Sequence, residues 1–112
     1  MDQLDVNVEL RDRHAVVRVR GAIDLTTAAL LGSMLENIRH PGGGCRVEVD
    51  LDQVSFMDCS GLSELLRAKQ HLWRQGRSIK LVNCSPQVDR LLEMAGLDHR
   101  LDAPWYGRDA RA

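Results

Sequence analysis

A field of one charge sign, a long apolar run and paired cysteines are all missing from this sequence, and each absence closes a class of function. Among the 112 residues, 15 lysines and arginines face 16 aspartates and glutamates, for a formal net charge of −1. Such a balance does not recruit nucleic acid or an anionic membrane. The basic cluster Arg67, Lys69, Arg74, Arg77 and Lys80 alternates with apolar residues at helical spacing and reads as a solvated helix face. No apolar run approaches the roughly 18 to 20 residues of a membrane span. The opening Met1-Asp2-Gln3-Leu4-Asp5 lacks the basic and apolar regions of a signal peptide. A cytoplasmic protein with no membrane insertion is therefore expected. The three cysteines, Cys45, Cys59 and Cys84, are odd in number and contain no CxxC pair. Neither a disulfide framework nor a zinc site is suggested, and the expectation is reduced thiols, no metal and no cofactor.

Catalytic constellations are missing as well. An enzyme needs a nucleophile with its base, paired carboxylates or a metal cluster. Here His14 falls in a turn, His40 at a helix end, His71 on a helix and His99 in the terminal turn, and none is placed beside Cys59. Asp50 and Asp52 alternate along a strand and read as its polar face, and Gly42-Gly43-Gly44 is a linker without the lysine of a phosphate-binding loop. No enzymatic activity and no small-molecule substrate are expected.

What is present is a regular alternation of strand and helix patterns. Hydrophobic residues make up 44% and charged residues 28% of the chain, an ordinary balance for one soluble α/β domain of this length. Leu4, Val6, Val8 and Leu10, then Ala15, Val17 and Val19, recur at period two on either side of Arg11-Asp12-Arg13-His14, a hairpin. After Gly21 the period changes. Ala28, Leu31, Met34, Leu35 and Ile38 share a helix face that Asp24, Thr26 or Thr27 can cap, and His40-Pro41-Gly42-Gly43-Gly44 ends it. Val47, Val49 and Leu51 mark a strand. Leu62, Leu65, Leu66, Lys69, Leu72 and Trp73 mark a second helix, which stops at Gly76. Ile79 to Asn83 form a strand, and Ser85-Pro86 opens a third helix with Val88, Leu91, Leu92 and Ala95 inward. Leu97 and Leu101 add a packed turn. The expected order is ββαβαβα in residues 1–101, with parallel strands joined by right-handed crossovers, followed by a flexible tail over 102–112 with one anchored aromatic at Trp105-Tyr106.

Between the Val54-Ser55-Phe56-Met57 run and the second helix stands the tetrad Asp58-Cys59-Ser60-Gly61. The first N–H groups of a helix starting there point into the loop with the positive end of the helix dipole. Asp58 can cap them, Gly61 leaves the junction uncovered, and Cys59 and Ser60 stand on the turn. The tetrad reads either as a docking or phosphorylation site or as a helix cap and nothing more.

The run Val54 to Leu62 resembles the signature of STAS domains, in particular the bacterial anti-sigma-factor antagonists, in which Asp-Ser-Ser-Gly-Leu or Asp-Ser-Thr-Gly-Leu follows an apolar strand. Gly21-Ala22-Ile23-Asp24, Ile79 to Asn83, Ser85-Pro86-Gln87-Val88 and Met94-Ala95-Gly96-Leu97 are similar to further stretches of the family, so the likeness runs from about residue 4 to 101. The resemblance implies a STAS-like mixed sheet. It also implies a regulator of transcription that binds an anti-sigma factor, usually a GHKL-type serine kinase, through Asp24, Asp58, Cys59, Ser60, Gly61 and Leu62. In that family the kinase phosphorylates the residue after the motif aspartate and so ends the complex. An alternative within the family is a regulatory subunit of a membrane-associated lipid or anion transport assembly.

The sequence departs from the signature at that position, where Cys59 replaces the hydroxyl. A thiol is not a substrate for a serine kinase. Three readings stay open: an unregulated binder or one whose partner lacks kinase activity, phosphorylation at Ser60 in a shifted register, or a redox-active Cys59. A helix N-terminus lowers a thiol pKa and favours the last, whereas the neighbouring Asp58 opposes it.

Overall fold

Period-two patterning produces four strands and period-3.6 patterning three helices in the computed structural model, which describes residues 4–39 and 46–102. β1 (Asp5–Leu10) and β2 (His14–Ile23) form the hairpin, closed by the Arg11 N–H donating to the His14 carbonyl at 2.8 Å. That bond draws His14 out of the turn, where the sequence reading placed it, and into β2. There follow α1 (Ala28–Glu36), β3 (Arg46–Met57), α2 (Cys59–Arg74), β4 (Ile79–Val82) and α3 (Pro86–Ala95). The order is ββαβαβα, as expected. The Gly42-Gly43-Gly44 linker, Cys45 and the Trp105-Tyr106 tail lie outside the described residues.

The strands lie in the order β1-β2-β3-β4, with β1 antiparallel to β2 and the other neighbours parallel. Right-handed crossovers that step in one direction along a sheet leave their helices on the same face. That face is the core: Val17, Val49, Leu51 and Leu81 of the sheet pack with Leu31 and Leu35 of α1, Leu65 and Leu72 of α2, and Val88 and Leu92 of α3. Each such side chain contributes about 1.5 to 3 kcal/mol on burial. The opposite face carries Arg18, Arg20, Asp50 and Lys80, with Arg18 bonded to Glu9 at 2.7 Å.

Two irregularities shape the functional end. Inward residues of β3 are two apart through Leu51 and then three apart, at Val54 and Met57. The pairing with β2 slips once between Arg18 and Arg20 and again between Gly21 and Ala22, each slip admitting an extra residue in β3. Gly21 sits at φ 109°, a conformation glycine alone adopts readily. The strand therefore bends and continues past the glycine where the sequence reading ended it, so that Ile23 pairs with Met57.

The helices follow their patterns with local corrections. In α2 the buried positions are Gly61, Leu62, Leu65, Ala68 and Leu72. Leu66 and Lys69 lie at the edge of that stripe, and Trp73, expected inward, is 73% exposed because it falls one residue past Leu72. In α3 Val88 and Leu92 are buried and Leu91 partly so, whereas Ala95 faces solvent. Ser85 precedes Pro86 as expected, but its Oγ is buried and makes no capping bond. Gly76 and Gly96 both close their helices at φ 73°. The terminal turn buries Leu101, and its His99 carbonyl accepts the Leu81 N–H at 2.7 Å, covering part of the β4 edge. Asp102, which the sequence reading placed in the tail, is held by Lys69 and by the Asp98 carboxylate.

Candidate functional site

The bend at Gly21 and the bulges of β3 bring two strand ends side by side, and the site is the pair of loops that leave them. The Asp58 N–H donates to the Ile23 carbonyl at 3.3 Å, so the residue before Asp24 is bonded directly to the tetrad. The two loops that the resemblance assigns to one contact are thus adjacent in the backbone.

Asp58 is the N-cap of α2 in extended conformation, and its Oδ1 accepts the N–H groups of Ser60 at 2.9 Å and Gly61 at 3.3 Å. These two bonds satisfy donors that the first turn of a helix leaves free. Gly61 is buried against the strand ends. A Cβ there would stand 2.7 Å from both Ile23 Cγ2 and Met57 Cγ and 3.2 Å from the Ile23 carbonyl. The glycine therefore permits α2 to start directly on top of β2 and β3. With Gly61 and Leu62 inward, Cys59 is exposed at the head of the helix and Ser60 partly so.

The Asp24 loop is tied down from within. Asp24 Oδ1 accepts the Thr26 hydroxyl at 2.7 Å and the N–H groups of Thr26 and Thr27 at 2.9 and 3.2 Å. Thr27 Oγ1 accepts the Asp24 N–H at 2.9 Å and donates to the Ala22 carbonyl at 2.8 Å. The Thr26 hydroxyl, followed by the loop N–H groups, holds the Asp24 carboxyl below the usual carboxylate range. Of the three residues suggested as caps of α1, Asp24 makes the bonds, one turn ahead of the helix. Thr27, at the N-cap position, makes no cap bond.

Apolar side chains are left in water on the elements that meet here. Leu25 is 77% and Phe56 48% exposed, and Met94 of α3 is 78% exposed. Phe56, Met57, Pro86, Leu91 and Met94 line a groove of about 530 Å³ beside the tetrad, with Arg90 at its side. The sequence reading named none of Leu25, Arg90, Leu91 and Met94 as part of the site. Leu25 and Met94 carry a signal, being large apolar residues outside the inward stripes, Leu25 in the turn before α1 and Met94 on the outer side of α3.

The family model of the STAS domain matches residues 5–107. The chain belongs to the STAS domain family. Two relatives, both named anti-sigma-B factor antagonist, are each 30% identical to this STAS domain. The protein of Bacillus subtilis strain 168 matches over 88% of this chain and 89% of its own length. That of Listeria monocytogenes matches over 84% of each. A crystal structure of an anti-sigma factor antagonist from Mycobacterium paratuberculosis superimposes with a TM-score of 0.68 at 25% identity, covering 84% of this chain and 79% of the other. The order of elements and the mixed sheet are thus those of a STAS domain. Among the described residues, no helix is long and apolar enough to cross a membrane.

Proposed function

We propose that this STAS domain is a cytoplasmic anti-sigma-factor antagonist, a regulator of transcription and not an enzyme, that docks on an anti-sigma factor through the Asp58 junction. The observation that carries this reading is the junction itself: a capped helix start, an exposed small side chain at position 59, and a second loop bonded alongside through Ile23. The names of the relatives at 30% identity support it. Asp24, Asp58, Cys59, Ser60, Gly61 and Leu62 are assigned as the centre of the contact. Gly61 and Leu62 act from beneath by seating the helix.

The partner is an anti-sigma factor of the GHKL serine-kinase type, and Cys59 occupies the place of the acceptor hydroxyl. The domain then binds without the usual phospho-release. A phosphate would bring roughly 1.5 to 2 negative charges beside Asp58, and the thiol forecloses that step. Ser60 is not assigned as the acceptor, since its side chain is partly covered whereas position 59 is exposed.

The test is titration calorimetry against the purified anti-sigma factors of the same genome, with intact-mass analysis after incubation with ATP. Binding by the native chain is expected, with the affinity lost in Cys59→Glu and little changed in Cys59→Ser. Incubation should leave the native chain unmodified and add one phosphate to Cys59→Ser. Absence of binding to every anti-sigma factor sinks the function, and full affinity in a folded Cys59→Glu sinks the site. A phosphate on the native chain that vanishes in Ser60→Ala would move the switch to Ser60.

A further inference from the structure

Away from the docking junction, the fold collects three metal-binding side chains that lie far apart in sequence. One ligand atom each of Cys84, Asp89 and His99 lie within 4.8 Å of one another. His99 Nε2 already donates to Asp89 Oδ1 at 2.9 Å. We propose that Cys84, Asp89 and His99 form a zinc site that staples the turn between β4 and α3 to the terminal turn of the domain.

The donor set is one sulfur, one nitrogen and one carboxylate oxygen, and Zn²⁺ takes all three types in tetrahedral geometry with a water in the fourth position. At ordinary Zn–S, Zn–N and Zn–O lengths the donors of such a site lie roughly 3.3 to 3.6 Å apart. The His99–Asp89 separation of 2.9 Å lies just below that range and no separation exceeds 4.8 Å, so the exposed side chains of Asp89 and His99 can reach it by rotation. The backbone beneath each ligand is held by a separate device. Cys84 follows Asn83, whose φ is 51° and whose amide donates to Asp50 at 3.2 Å. Asp89 stands in the first turn of α3, next to the fully buried Val88. His99 is fastened through its carbonyl to Leu81 and lies in a turn closed by the Leu101 N–H on the Asp98 carbonyl at 2.9 Å.

Charge also fits. Burial pushes the Cys84 thiol up to about 11, with the carboxylates of Asp89 and Asp50 adding to the effect. Without a metal the sulfur carries its proton, which argues against a nucleophile. On binding, the S–H bond breaks as the S–Zn bond forms and the proton leaves to water. The imidazole proton moves from Nε2 to Nδ1, and the thiolate and the Asp89 carboxylate together balance the two charges of the ion. One proton is released per zinc, so affinity rises about tenfold per pH unit below the thiol pKa. The spacing of Cys84, Asp89 and His99 matches no sequence motif for zinc, and the three meet only because the terminal turn doubles back along β4. The bound ion would steady α3, the wall of the groove that holds Arg90 and Met94.

Zinc titration of the chelator-treated full chain, followed by calorimetry at several pH values, tests the assignment. A single zinc per chain is expected, with the dissociation constant raised about tenfold or more by His99→Gln and further by Cys84→Ser. Cys59→Ser and Cys45→Ser leave it unchanged. With Co²⁺ as probe, a thiolate-to-metal charge-transfer band appears and is lost in Cys84→Ser. His99 is exposed, so His99→Gln reports on the site without threatening the fold. The proposal is overturned if the native chain takes up no stoichiometric zinc, or if His99→Gln and Cys84→Ser bind it as the native chain does.

Discussion

The two loops of the docking end begin alike and finish differently. In both, an aspartate that follows a strand accepts the N–H groups two and three residues on: Thr26 and Thr27 for Asp24, Ser60 and Gly61 for Asp58. The third residue then decides the outcome. Thr27 spends its hydroxyl on Asp24 N–H and the Ala22 carbonyl, which closes a separate turn before α1 starts at Ala28. Gly61 has no side chain to place, so α2 starts at once on the strand ends and presents Cys59 at its tip. One aspartate thus builds a fixed rim and the other an exposed head, a difference made by a single side chain three residues downstream.

The largest break in this comparison is expected from giving the Asp58 loop the third residue of the other. Gly61→Thr drives a branched side chain into Ile23 and Met57, at a cost of about 1 to 3 kcal/mol or more by urea unfolding and with loss of partner affinity. A fully stable, binding-competent variant would show that the close approach of Gly61 is not what seats α2. Asp58→Ala comes next, at about 0.5 to 2 kcal/mol, measured in the same way and by the helix signal in circular dichroism. In the other loop Thr27→Val removes two hydrogen bonds while keeping the shape, for about 0.5 to 1.5 kcal/mol per bond. Proton exchange at the Asp24 amide would report the loss.

The smallest effects are in the titrations, and they run in opposite directions. The depressed Asp24 carboxyl contributes stability that is present above its ordinary value of 3.8 and lost as the pH falls through its lower value in the fold. In Thr26→Ala the carboxyl titrates nearer that ordinary value, visible in carbon-detected NMR. In the zinc-free chain the Cys84 thiol is raised from 9.0 to about 11. Its contribution is full below pH 9 and is lost as the pH rises through 11, a loss that Cys84→Ser removes from the alkaline unfolding curve.

Legibility tracked the range of the interaction. Element types and order follow from periods of two and 3.6, which are properties of neighbouring residues, and the tetrad with its capping aspartate is a local motif of the same kind. Trp73 and Ala95 were misplaced at the edges of helical stripes, where one residue turns a side chain by about 100° and packing decides the rest. The extension of β2 beyond Gly21 was illegible because it depends on two bulges in a partner strand far along the chain. The groove at Phe56 and the trio at Cys84 were invisible for the same reason, since each joins elements separated by a helix or a loop.

By itself the sequence determined the ββαβαβα order, the main inward stripes of the central strands and the helices but not of β1, where Val8 and Leu10 are exposed, and the aspartate, thiol and glycine at the head of α2, because backbone geometry and burial act through residues a few places apart. Only the tertiary structure decided that Ile23 meets Asp58, that Leu25 and Phe56 remain in water at one end, and that Cys84, Asp89 and His99 converge. Those facts depend on strand register and on the path of the terminal turn, which are set when the whole core packs at once.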